Sequence, residues 1–463
     1  MAAVQEVEGW GIDGLDAEAA TELLERIEET VQPQIPPPEV TQTYASEQID
    51  ALAALGVEFV ERELDVEPGE SGVFLNNIAA DPAGRKINSF DAYVAPVWPE
   101  GACAGNLRII QGAVVSKVVT DRRVATGVHY TTAATGDAVL EATAAVEVIL
   151  AAGPYGSPQL LQLSGIGPRR LLRSLGIPLV RNLPVGASTS ARALSLIFSA
   201  YPGMPLAPEN NSTVLADPAQ AAAFAAGEPS VLGVGLGATI TLTPNGYFEA
   251  STVLVGLEDT QTLVTFCLLN PSARGSLEIV STDPAVPPAV DTNFLGTDAD
   301  VAAATACRDF MRDVNAAWDP AFLLTELSPG ADTPVTDSIG GAFHFVAGAP
   351  VGAVLDGGLR VRGVDRLRVC DISAVPTMPT NAGPMTSAYL VAEHLAAVLI
   401  AEAPPVVERA AAAAAGDSSA AGSSRGSGGG TVRAAAAPAS GRVDVTVSGR
   451  GSASSDASVS FGR

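Results

Sequence analysis

Gly153 to Gly167 reads GPYGSPQLLQLSGIG, and no other stretch of this 463-residue chain narrows its possible folds so far. Just before it, Val146-Glu147-Val148-Ile149-Leu150 has the length and β-branched content of a buried strand. The strand runs out into Ala151-Ala152-Gly153, and Ser157-Pro158 then reads as a helix start. Small residues between a buried strand and a helix let backbone approach a dinucleotide closely. An α/β fold with a nucleotide-type strand-turn-helix is therefore expected here.

The remaining pattern is mixed. Residues 13–30 place Leu15, Ala19, Ala20, Leu23, Leu24 and Ile27 at helical spacing, and the prolines of 33–38 stop the helix. A second helix is expected over 46–55, ending near Gly56. Leu107–Ile110, Ala113–Val119, Ala125–Tyr130 and Val146–Leu150 read as short strands separated by turn residues. Further strands are expected at Thr252–Leu257, Thr262–Leu269 and Gly275–Val280, a helix at 298–315, strand-like chain over 343–375 and an apolar helix at 385–402. Residues 408–441 are mostly Ala, Gly, Ser and Arg, so 403–463 is expected to be a low-complexity, disordered tail.

Composition excludes several classes of function. With 47% hydrophobic and 17% charged residues, the chain has the make-up of a globular protein. A net charge of −25 removes the basic footprint that a nucleic-acid partner needs. No uninterrupted apolar run reaches about 18 residues, so no membrane span is expected. The start, MAAVQEVEGW, has neither the basic region nor the apolar core of a signal peptide. Cys103, Cys267, Cys307 and Cys370 are scattered without a CxxC pair. They suggest neither a metal site nor a disulfide framework, and each is expected to act as a small apolar residue.

The fifteen residues from Gly153 to Gly167 resemble, throughout, a signature of the glucose-methanol-choline (GMC) family of flavin oxidoreductases. A second block agrees. Residues 344–356, HFVAGAPVGAVLD, and 359–376, LRVRGVDRLRVCDISAVP, are similar to the family's carboxyl-terminal run, which continues here as Pro379-Thr380-Asn381. This version looks most like the plant branch of HOTHEAD-like proteins and mandelonitrile lyases. Weaker likenesses lie at 84–95, at Ala273-Arg274-Gly275 and at Asp291–Phe294. The resemblance implies an α/β fold of two discontinuous parts. An FAD-binding part would use residues 80–190 and 345–402, and a substrate part of sheet and helices would use 1–79 and 191–344.

The resemblance also implies roles for single residues. Val115 matches the position whose backbone holds the adenine edge of FAD; the plainer alternative is an ordinary strand valine. Ala151, Ala152 and Gly153 would pass close to the adenosine, unless they serve only close packing of helix on strand. Asp371 would lie beside the ribityl and diphosphate section, and the N–H of Ile372 would help to bind it. The family prefers Gly or Ala at the latter position, so crowding is expected there. His344 matches the first catalytic histidine, which takes the hydroxyl proton while hydride leaves the α-carbon. The alternative is a satisfied core histidine. Asn381 matches, after a one-residue shift, the partner that orients the substrate oxygen. His129 and His394 match no catalytic position, and no metal site is implied.

One family element has no match. The strand-GxGxxG-helix that receives the FAD diphosphate is missing, and Gly233-Val234-Gly235-Leu236-Gly237 has the wrong spacing and place. After Pro184-Val185-Gly186 the chain reads Ala-Ser-Thr-Ser-Ala-Arg, where the family has Asp-His-Pro or Asp-Asn-Pro. An incomplete chain lacking its first βαβ unit is the simplest expectation. Three readings stand: an FAD-dependent oxidoreductase acting on a CH–OH group, a hydroxynitrile lyase of the mandelonitrile type on the same fold, or a non-catalytic remnant. The partner of either enzyme would be a small alcohol or hydroxynitrile.

Overall fold

A computed structural model of the chain describes residues 6–33, 38–61, 71–75, 79, 86–101, 105–200, 216–226, 240–242, 248–257, 260–322, 324–378 and 383–402. Asp16 caps helix α1 (Ala17–Val31), accepting the N–H of Ala19 at 2.9 Å. Ala20, Leu23, Ile27 and Val31 form its buried face, the periodicity legible in the sequence. Helix α2 (Pro38–Ala54) is longer than expected at its amino end and buries Ala51 and Leu52. Strands β1 (Glu58–Phe59) and β2 (Gly72–Leu75) then run parallel.

An antiparallel meander follows: β3 (Ala113–Asp121), β4 (Val124–Thr132) and β5 (Leu140–Thr143). The expected strand at Leu107–Ile110 does not form. Its would-be partner ends first, because Ala113 pairs with Thr132 and the chain turns there, with Thr135 Oγ1 accepting the Thr132 N–H. Strand β6 (Val148–Leu150) leads into helix α3 (Gly153–Leu163). The helix starts at Gly153, four residues before the expected Ser-Pro start, because Gly153 takes a φ of +81° and Pro154 occupies the first turn. Pro158 therefore lies inside the helix, against Gly348, where no Cβ would fit.

Short elements β7 (Ile166–Gly167), α4 (Arg169–Ser174) and β8 (Arg181–Asn182) connect to β9 (Ser190–Ala200). Helix α5 (Pro218–Ala226), β10 (Ile240–Leu242), β11 (Phe248–Leu257) and β12 (Thr260–Leu269) follow, then the pair β13 (Ser276–Glu278) and β14 (Ala289–Asp291). Beyond lie α6 (Asp298–Ala316), β15 (Thr325–Ser328), β16 (Ile339–Val346), β17 (Leu367–Val369) and α7 (Pro384–Glu402). The main sheet runs in the order β1-β2-β10-β11-β12-β9-β15, with β16 also on β9. Strands β6 and β17 form a separate parallel pair, Val148 opposite Leu367 and Leu150 opposite Val369. This is the expected α/β fold.

Packing sorts the elements. One core joins Val7, Trp10, Leu23 and Ile27 to Val118, Leu150, Leu161, Val369 and Leu390. Others lie under the sheet, where Leu52, Val73 and Leu263 meet Val314 and Trp318, and Ala193, Ile197 and Leu269 meet Ala304 and Met311. Residues 7–31 thus pack with the β6–β17 region, whereas Leu52 and Val73 belong to the sheet. The expected placement of all of 1–79 in the substrate part does not follow the packing. Cys267 on β12 and Cys307 on α6 form a disulfide, against the expectation of four separate apolar cysteines. The pairing arises because α6 lies across β12, a contact between residues 40 apart in sequence. Helix α7 is long and apolar enough to cross a membrane by length and composition, but Leu390, Val391 and Leu395 are buried in the first core. Residues 403–463 and the glycines of 233–237 lie outside the described residues.

Two buried polar side chains lock the frame. Gln162 is fully buried; its amide donates to Val185 O and Leu277 O at 3.0 Å each and accepts from Ile279 N at 2.9 Å. Gln162→Leu orphans three backbone groups and should lower stability by roughly 3 kcal/mol or more, read as a lowered urea midpoint. Asp300, in the first turn of α6, accepts from Ser272 N at 2.6 Å and Ala273 N at 3.1 Å. Burial works against its charge, yet these donors and Thr297 hold it below the ordinary 3.8. Its stabilisation is present above the unfolded value and is lost as pH falls through the folded one. The gap in denaturation midpoint between wild type and Asp300→Asn should therefore narrow below pH 3.8.

Candidate active site and nucleotide cavity

A cavity of about 570 Å³ opens between the start of β3, one face of α3 and the loop 284–290. Gly112, Ala113 and Val115 line it from the strand, and Ala152, Tyr155, Gly156 and Gln159 from the helix. Gln159 draws the loop in, donating to Val286 O at 2.9 Å and Pro284 O at 3.3 Å. The volume is that of a small-molecule or cofactor site. Val115 pairs with Tyr130, and the β3–β4 register then slips before Lys117, so the ladder is irregular where Val115 meets the cavity.

At the head of α3, donors converge on Asp371. Its Oδ2 accepts from Gly153 N at 3.0 Å and Ser157 Oγ at 2.5 Å, and its Oδ1 from Ser373 N at 2.8 Å and Ser373 Oγ at 2.6 Å. Ser157 Oγ in turn accepts from Ala152 N at 2.9 Å. Burial pushes the carboxyl above the ordinary 3.8, against the pull of these donors. The first amide of α3, that of Gly153, is thus taken by Asp371, and the carboxyl group sits at the positive end of the helix.

Strand β16 carries the third feature. It pairs with β9 over Ile339–Gly341 and again at Phe345–Val346, and slips between them. Phe343, in the slip, has a φ of +60° and is 87% exposed. A bulge of this kind re-aims side chains and costs backbone strain at a non-glycine residue. His344 follows directly, half-buried, with its Nδ1 buried and without a hydrogen-bond partner. Burial first, and then the charge of Arg192, lower its pKa from the ordinary 6.5 to about 4. The imidazole is therefore neutral at pH 7. Phe345, next along, packs on Tyr155 with ring centroids 4.7 Å apart, which joins the bulge to the cavity wall.

The expected site residues separate on this geometry. Val115 and Ala152 line the cavity. Gly153 borders open space, with no atom within 4 Å of an added Cβ, and holds Asp371. Ala151 is exposed. Ile372 points into the first core and is 6% exposed. Asn381 lies outside the described residues. Sequence reading missed Tyr155 and Gln159, although both stand inside the signature string. It also missed Arg192, whose signal was a lone charge in the run Ser190-Ala191-Arg192-Ala193-Leu194. Among the described residues no group of three His, Cys, Asp or Glu is placed to hold a metal.

A parallel strand pair ending in a small-residue turn and a mainly antiparallel sheet that bears His344 make up a mixed α/β fold. The chain belongs to the GMC oxidoreductase family, whose amino-terminal model matches residues 5–191 and whose carboxyl-terminal model matches 271–392. It is 29% identical over 309 residues to the oxygen-dependent choline dehydrogenase of Pseudomonas putida, covering 60% of this chain and 54% of that protein. The chain thus spans about half the length of the curated relatives it matches. Among solved structures, an FAD-dependent oxidoreductase from Chaetomium thermophilum superposes with a TM-score of 0.69 at 20% identity, covering 87% of this chain and 83% of that one. Formate oxidase from Aspergillus oryzae gives 0.67 at 21% identity, covering 78% and 72%.

The Asp371 clasp is open to test. Asp371→Ala orphans the donors of Gly153, Ser157 and Ser373 and should cost about 3 kcal/mol or more. Asp371→Asn, which keeps the shape and one acceptor, should recover part of that loss in thermal melts.

Proposed function

We propose that this chain is an FAD-dependent oxidoreductase of the GMC type that removes hydrogen from a CH–OH group of a small-molecule alcohol. The observation that carries the reading is His344: a neutral imidazole on a strand bulge whose next residue packs against the wall of a nucleotide-sized cavity. FAD would supply the acceptor for the hydride that leaves the substrate carbon.

The described residues fit the adenosine portion of that cofactor. Val115 would offer strand backbone to the adenine edge, and Gly112 and Gly156 keep the walls free of bulk. Gly112 has open space where a Cβ would be. At the head of α3 the Gly153 amide serves Asp371 and the Ala152 amide before it serves Ser157. In this reading residues 80–190 and 345–402, together with α1, make the cofactor part, and α2, β1 and β2 with 191–344 make the substrate part and its sheet. His344 holds the hydroxyl proton on its ring nitrogen as the carbon loses hydride, and Asn381 orients the substrate oxygen. A neutral base is ready for this at pH 7 without first losing a proton.

His344→Gln should lower turnover by about 10²- to 10⁴-fold while leaving bound flavin, read by its oxidised absorbance band, unchanged. Because the imidazole gains a proton only as pH falls to about 4, the acid limb of kcat/KM should lie near that value and not near 6.5. Anaerobic mixing with candidate alcohols decides the reaction class. Loss of the oxidised band supports oxidation, whereas cleavage of hydroxynitriles with the band intact supports the lyase instead. Protein that stays colourless, and whose Tm does not rise with added FAD, sinks the proposal.

A further inference from the structure

We infer that Arg192 is the positioning residue of the His344 site: a buried cation on β9, held by Asn270, it stands across the β9–β16 ladder from the bulge that carries the imidazole. The inference rests on the reading of His344 as the proton acceptor. Arg192 lies between Ala191, paired with Phe345, and Ala193, paired with Gly341, so the residues it faces are those of the slip. It is 1% exposed. A cation buried in an apolar strand is costly and persists only where its surroundings hold it. Here Asn270, one residue beyond the pairing of Leu269 with Ala193, accepts from Arg192 Nε at 3.0 Å. The amide of Asn270 then donates to Met378 O at 3.4 Å, three residues before Asn381. One line of contacts therefore joins Arg192, opposite the slip of β16, to the end of β12 and to Met378.

The charge has a second effect. A fixed cation opposes protonation of an imidazole nearby. Strands β9 and β16 carry no other charged or titratable side chain besides His344 itself. Of the other elements packed on β16, the turn Ile372–Ala374 is capped by Asp371 and α7 carries Tyr389, Glu393, His394 and Glu402; Tyr155 of α3 reaches Phe345. Among all of these, only the charge of Arg192 acts on His344. Arg192 thus adds to burial in keeping the acceptor empty of its proton before substrate arrives.

The chain contains three histidines, so NMR titration of histidine-labelled protein without added cofactor reads the site directly; the His344 resonance is assigned by its loss in His344→Gln. In Arg192→Met the His344 midpoint should rise above about 4, burial alone then holding it below 6.5. Arg192→Lys, which keeps the charge, should stay close to wild type. Asn270→Asp cancels the charge while preserving an acceptor for Nε, so it should also raise the midpoint if Arg192→Met fails to fold. In turnover assays the acid limb of kcat/KM should move with the midpoint. An unmoved His344 resonance in folded Arg192→Met or in Asn270→Asp overturns the inference and leaves the proposed activity standing. A shifted resonance in an inactive protein supports the inference and counts against the activity.

Discussion

The carboxylate of Asp371 is the tie on which the two strand ends and the signature helix depend. Strand β17 delivers it, and the donors it gathers come from Gly153 and Ser157 at the head of α3 and from Ser373 just beyond the strand. These groups are separated by as many as 218 residues in sequence. Burying a carboxylate is tolerable only when its lone pairs are filled, so the site is all-or-none. Helix α3 extends the same logic along its length. Gln159 takes the 284–290 loop, Gln162 takes residues 185, 277 and 279, and Ser164 accepts the Val118 N–H at 2.8 Å. A short helix thereby sets the position of four separate segments.

His344 and Arg192 show burial used for electrostatic effect. In water an imidazole beside a guanidinium would be weakly perturbed, because solvent screens the pair. Inside the β9–β16 ladder, desolvation and the buried charge act in the same direction, and the neutral form prevails far below the ordinary histidine range. The bulge makes this compatible with a sheet. A regular β16 would fix His344 by strand alternation, whereas the slip between Gly341 and Phe345 frees its direction from the ladder.

Much of the fold was legible in local pattern. The buried face of α1, helices α6 and α7 and strands β3, β4, β11 and β12 follow from periodicity in their own residues. What escaped depends on partners distant in sequence. Leu107–Ile110 has strand composition but no strand beside it. Cys267 and Cys307 meet only because α6 crosses the sheet. The early start of α3 follows from the left-handed Gly153 and its tie to Asp371, neither visible within the Ser157-Pro158 dipeptide. Of the residues that resemblance singled out, Val115 and Ala152 line the cavity, His344 follows the slip of β16, and Asp371 gathers the donors at the head of α3. Arg192 stayed hidden because the sequence around it departs from the family pattern. Burial, which makes it informative, is not a property of one residue.

The amide of Gln159 holds a wall of the cavity to its floor across more than a hundred residues of chain. Whatever fills that space touches both β3 and the 284–290 loop, one from each matched half of the family pattern. Its binding free energy is then added to the association of those halves. Occupancy and the integrity of the tertiary fold would then be two readings of one equilibrium, with a filled cavity latching β3 to the 284–290 segment.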